Sequence, residues 1–155
     1  MLRRRTAPPD PALRGPRTTA LPAAFAVLAG LLNLFAFQPF GWWPLQLLSL
    51  AFLFYQVGMD TNIRRSTLIG WAYGFGWSVA GMHWLYIAMN RFGGLAAPLA
   101  ALAICLLAAY MGLFSAFATG VATWLRRRWS LPVASFLLLT LPVAWGVSEL
   151  SLIHI

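Results

Sequence analysis

The chain has 155 residues, of which 61% are hydrophobic and only 9% charged, with a mean hydropathy of +0.75. A soluble domain runs near 45–50% apolar and 25% charged, so this composition excludes an ordinary soluble fold and points to a polytopic membrane protein. The formal net charge of +8 comes from arginines alone, set in short clusters between apolar runs. That is the pattern of topology signals and anionic headgroups rather than of a nucleic-acid surface, and no nucleic-acid partner is expected.

Residues 1–19 hold Arg3, Arg4, Arg5, Arg14 and Arg17 among prolines without apolar periodicity, and read as a disordered basic arm in the cytoplasm. A basic start before an apolar run resembles a signal peptide. No small-x-small cleavage site follows and further spans do, so an uncleaved first helix is expected. Residues 20–150 then read as an all-α transmembrane bundle of about five helices.

The first helix runs over about 21–37, with Asn33 as its one strongly polar residue. Gln38 to Pro44 is a turn, broken by Pro39, Gly41 and Pro44, where adjacent Trp42 and Trp43 suit the membrane–water interface. The second helix, about 45–59, is barely long enough to cross. Asn33 and Gln46 are expected to hydrogen-bond between helices.

The third helix is placed over 66–89, a length of about 36 Å at 1.5 Å per residue. At about 100° per residue, Gly70, Gly74, Ser78, Gly81, Leu85 and Ala88 share one narrow sector, which reads as a packing face of small residues. The fourth helix, about 97–125, repeats Ala108, Gly112, Ala116 and Gly120 every four residues, and is expected to pack on the third. The fifth, about 132–150, is expected to kink at Pro142. Five helices with the amino terminus inside put ten of the eleven arginines in the cytoplasm and leave Arg91 outside.

The outer face is where chemistry is expected. His83, Tyr86 and Asn90 lie about a turn apart beside Trp84 and Arg91. One reading is the lining of a pocket open to the outer leaflet, with Arg91 attracting a lipid phosphate. The other is interfacial aromatics and helix-end polar groups bonding to nearby loops. Glu149 is the one carboxylate near a span, a functional candidate with Arg91 as a partner, or a helix-end acid reaching water. Cys105 sits among Leu, Ile and Ala with no base to make it a thiolate. No nucleophile–base pair, phosphate loop or metal constellation is present, and no cofactor or metal is expected.

Several ordered motifs resemble the apolipoprotein N-acyltransferases: Phe37 to Pro44 with Leu48-Ser49-Leu50, Gly70 to Gly76, His83-Trp84-Leu85-Tyr86, Phe92-Gly93-Gly94, Leu106 to Tyr110, and Pro142 to Trp145 with Glu149. The resemblance covers about 28–150. It implies a multi-pass protein of the bacterial inner membrane whose family moves an acyl chain from a phospholipid to the α-amino group of a lipoprotein's diacylglyceryl-cysteine. In that family a periplasmic nitrilase-like domain supplies a Glu-Lys-Cys triad and a thioester intermediate. That domain is absent from these 155 residues, and with no lysine in the chain no catalytic residue is expected within it. The expected role is anchoring and framing a lipid-side entrance, with bilayer and phospholipid as partners and the apolipoprotein reached through the catalytic domain. Residues 151–155 depart from the family pattern and read as an aberrant or truncated tail. The alternative is a non-enzymatic membrane protein, such as a transporter subunit or lipid-binding scaffold, although neither intramembrane charge pairs nor an inverted repeat is visible.

Overall fold

The computed structural model describes residues 19–36 and 40–153. The basic arm up to Arg17, Pro39 with the rest of Phe37 to Pro39, and His154 lie outside the described residues. Within them all regular structure is helical. Helix α1 (Ala20–Leu31) continues as a 3-10 turn (Leu32–Ala36), α2 is Trp43–Gly58, and α3 is Ile63–Ile87 with a π turn (Ala88–Phe92) at its end. Helix α4 is Ala97–Trp129, and α5 comprises Val133–Ser135, a π turn (Phe136–Thr140) and Leu141–Ile153.

Local chemistry sets these limits. Helix α3 begins at Ile63, earlier than the hydropathy suggests, because the Asn62 side chain caps it by accepting the Arg64 N–H at 3.1 Å. Helix α4 continues through the arginine cluster and stops where Ser130 turns left-handed at φ 49°. In α5, where a kink is expected at Pro142, a π turn ends two residues before it. Proline has no N–H to donate and its ring crowds the carbonyl four residues back, so the ladder widens there.

Among the described residues two helices are long and apolar enough to cross a membrane, Ala97–Trp129 and Val133–Ser151. Helix α3 has the length, at 25 residues, but its glycines, tryptophans, tyrosines and two arginines lower its hydropathy. The reason lies in its position. It packs between α1 and α4, so much of its surface meets other helices and is selected for close approach rather than for lipid.

The expected α3–α4 packing is the most extensive in the bundle. A Cβ on Gly70 would sit 2.8 Å from the Ser115 carbonyl oxygen, and one on Gly74 would sit 3.0 Å from the Gly112 Cα. The indole of Trp71 donates across this seam to the Ala109 carbonyl at 3.1 Å. Thr119 and Thr123 are fully buried on α4, and their hydroxyls donate back to Ser115 and Thr119 carbonyls at 2.9 and 2.8 Å. Helix α1 meets the other side of α3, where Gly30 lies against the Tyr73 carbonyl and Gly76 against that of Val27.

A polar junction ties α1, α2 and α3 together. The Asn33 amide donates to Ser49 Oγ at 3.1 Å, and Ser49 Oγ donates to the Ala29 carbonyl at 2.6 Å while accepting the Tyr73 hydroxyl at 3.2 Å. Asn33 thus bonds between helices as expected. Gln46, given the same expectation, makes no such bond among the described residues. Below the junction, Trp145 of α5 makes ring contacts with Phe54, Tyr73 and Trp77 at 6.3, 5.8 and 6.1 Å between centroids.

Candidate functional site

The helices alternate in direction. Arg126 near the end of α4 donates to the Gly58 carbonyl at the end of α2 at 2.8 Å, which places those two ends together. Its guanidinium carbon also lies 4.9 Å from the centre of the Phe136 ring. One end of the bundle therefore carries Arg64, Arg65, Arg126, Arg127 and Arg128, with Asp60 paired to Arg65 at 3.0 Å. The opposite end carries Trp42, Trp43 and the last turn of α3.

At that second end the π turn swings Asn90 round so that its amide donates to the Leu95 carbonyl at 2.9 Å. This bond and the left-handed Gly94 (φ 65°) fold the loop back towards α4. Arg91 and Phe92 are left exposed, Phe92 to 87%. His83 Nδ1 donates to the Ala80 carbonyl of its own helix at 2.8 Å, which leaves Nε2 as the free nitrogen of the exposed ring. Trp84 is exposed and Tyr86 half-buried. Trp42 and Trp43 are exposed at the start of α2, where the Trp42 N–H bonds the Phe35 carbonyl at 3.1 Å. Pro39 is outside the described residues.

Glu149 lies deeper. It is half-buried and lines a cavity of about 290 Å³ with Trp77, Ser78, Gly81, Met82, Met111 and Ser115. The pairing with Arg91, one of the two readings from sequence, does not form: among the described residues Arg65–Asp60 is the one ion pair, and Arg91 is solvent-facing. Met82 is nine residues before Arg91, about 13 Å along a helix, which is beyond the reach of such a pair. The structure thus gathers His83, Trp84, Tyr86, Asn90 and Arg91 at one helix end and sets Glu149 apart in its own cavity. Sequence reasoning missed that cavity's other walls. Ser78 and Gly81 were visible as small residues on one face of α3, but nothing local marks Met111 and Ser115 as their neighbours.

Cys105 is exposed on α4, and no group of three or more His, Cys, Asp or Glu is placed to hold a metal among the described residues. What this architecture defines is a polytopic helical membrane protein, held by close backbone contacts, with aromatic and polar groups concentrated at one end.

The chain belongs to the apolipoprotein N-acyltransferase family. The family's N-terminal domain, described as "Apolipoprotein N-acyltransferase N-terminal domain", matches residues 29–152. An apolipoprotein N-acyltransferase of Ralstonia nicotianae is 39% identical over 127 residues, covering 82% of this chain and 24% of its own length. One from Pseudomonas syringae pv. tomato is 42% identical over 103 residues, covering 66% of this chain and 20% of its own. One from Chromobacterium violaceum is 33% identical over 142 residues, covering 92% of this chain and 26% of its own. The chain thus spans about a quarter or less of the length of these relatives, and matches their amino-terminal part.

Proposed function

We propose that this chain is the amino-terminal membrane part of an enzyme that transfers an acyl chain from a phospholipid to the N-terminal diacylglyceryl-cysteine of lipoproteins in the bacterial inner membrane. The observation that carries this reading is the match of residues 29–152 to the amino-terminal domain of that family. The arginine distribution supports an orientation with the amino terminus in the cytoplasm, since five of the six described arginines lie at one end of the bundle and Arg91 at the other.

In this reading the end bearing His83, Trp84, Tyr86, Asn90 and Arg91 faces the periplasm and borders the acyl donor. Trp42, Trp43 and Trp84 set the depth of the bundle in the interface, and Arg91 presents a guanidinium to a lipid phosphate. Glu149 and its cavity lie behind this rim. No activated nucleophile is found among the described residues: Cys105 is on an exposed helix face, and the sequence holds no lysine. The chain by itself is therefore expected to transfer no acyl group from phosphatidylethanolamine to a diacylglyceryl lipopeptide, and measurable transfer by the purified chain would refute the assignment of roles.

Orientation is tested separately in a Cys105→Ala background. A membrane-impermeant maleimide added to intact spheroplasts is expected to label Phe92→Cys and not Thr61→Cys. The reverse labelling would invert the proposed topology.

A further inference from the structure

A long apolar furrow runs between α4 and α5 on the side away from α3. Its volume is about 930 Å³, and its walls include Phe117, Val121, Leu125 and Trp129 of α4 with Val143 and Val147 of α5. On α4 it extends from Tyr110 to Trp129, about 29 Å, nearly the depth of a hydrocarbon core of about 30 Å, and on α5 from Leu139 to Ser151, about 18 Å. Its Trp129 mouth opens at the arginine-rich end of the bundle.

The three arginines that close α4 are not equivalent. Arg126 is committed to the Gly58 carbonyl and the Phe136 ring. Arg127 and Arg128 are exposed and have no ion pair among the described residues. Arg128 follows Val121 by seven residues and Leu125 by three, so it continues the stripe that walls the furrow. Arg127 follows Gly120 by seven and Thr123 by four, and continues a different stripe, towards α3.

We propose that the furrow binds one anionic phospholipid, with an acyl chain laid between α4 and α5 and the phosphate on Arg128. The charge argues for this occupant: an apolar trough long enough for an acyl chain ends beside a guanidinium with no ion pair among the described residues, which matches an acyl chain joined to a phosphate. Trp129 at the mouth supplies an interfacial ring at headgroup depth. The site is at the opposite end of the bundle from the proposed acyl-donor rim and does not rest on that reading.

The test is native mass spectrometry of the whole chain released from nanodiscs of equal phosphatidylglycerol and phosphatidylcholine. One phosphatidylglycerol is expected to be retained in preference to phosphatidylcholine. Arg128→Gln is expected to lower that retention about fivefold, while Arg127→Gln changes it less than about twofold and Arg128→Lys keeps most of it. Val143→Trp, at an exposed wall position, is expected to displace lipid of both kinds, with Val147→Trp as the substitute if that variant does not fold. Equal loss in the Arg127 and Arg128 variants would reduce the effect to diffuse charge and overturn the site. So would equal retention of the two lipids, lipid retained despite a filled furrow, or a dimer of the chain carrying none.

Discussion

Replacing Gly76 with valine is expected to force α1 off α3 and to cost about 3 kcal/mol, the upper part of the usual range for overpacking. The magnitude follows from what a side chain there would meet. A Cβ would run into the carbonyl group of Val27, with its carbon at 3.1 Å and the Val27 Cα at 3.2 Å, and these are backbone atoms that no rotamer change can move. Gly58 makes the contrast. There the nearest atom is Leu137 Cδ2 at 2.7 Å, the far end of a flexible side chain, so Gly58→Ala is expected to be mild. Gly146 has nothing within 4 Å, and Gly146→Ala is expected to be neutral or to stabilise the helix by about 0.5–1 kcal/mol. The midpoint of SDS-induced unfolding in mild detergent, followed by tryptophan fluorescence, ranks the three. A wild-type midpoint for Gly76→Val would mean that the close α1–α3 approach does not exist.

The second large effect is expected at Ser49. Its Oγ accepts from the Asn33 amide and the Tyr73 hydroxyl and donates to the Ala29 carbonyl, so one atom links α1, α2 and α3. Ser49→Ala removes that atom, leaves the buried Tyr73 phenol short of its partner and cuts the Asn33 amide's bond to α2, leaving it only the Ala29 and Gly30 carbonyls of its own helix, at about 2 kcal/mol. Tyr73→Phe removes one bond and leaves the Asn33–Ser49–Ala29 chain intact, so about half that loss is expected. The order of the two is the informative result. A larger loss in Tyr73→Phe would mean that the serine is not the hub, and that packing of the Tyr73 ring dominates.

Much of the bundle was legible because helix packing in lipid has a local signature. Gly70 and Gly74 on α3, and Ala108 and Gly112 on α4, recur at helical spacing, and the structure presses those faces together. Asn33 was legible as an interhelical donor because a lone amide in an apolar helix needs a partner. Its partners were not, since Ser49 lies 16 residues on, and Tyr73 beyond it, with nothing local to mark either. The arginine cluster looked uniform in sequence. Only the fold shows that Arg126 satisfies a carbonyl at the end of α2, where a cation also complements the helix dipole. The Arg91–Glu149 pairing failed for a similar reason. Depth is not legible locally, and Glu149 shares its cavity with Ser78, Gly81 and Met82, nine or more residues before Arg91 on the same helix.

The proposed function makes residues 29–152 the membrane part of an N-acyltransferase whose chemistry is carried elsewhere. The most direct measurement is to exchange the matching 127-residue segment of the Ralstonia nicotianae relative, 39% identical, for this chain's own and assay acyl transfer to a diacylglyceryl lipopeptide. The hybrid is expected to transfer acyl groups while the chain alone does not. A hybrid that inserts and folds but transfers nothing would contradict the account.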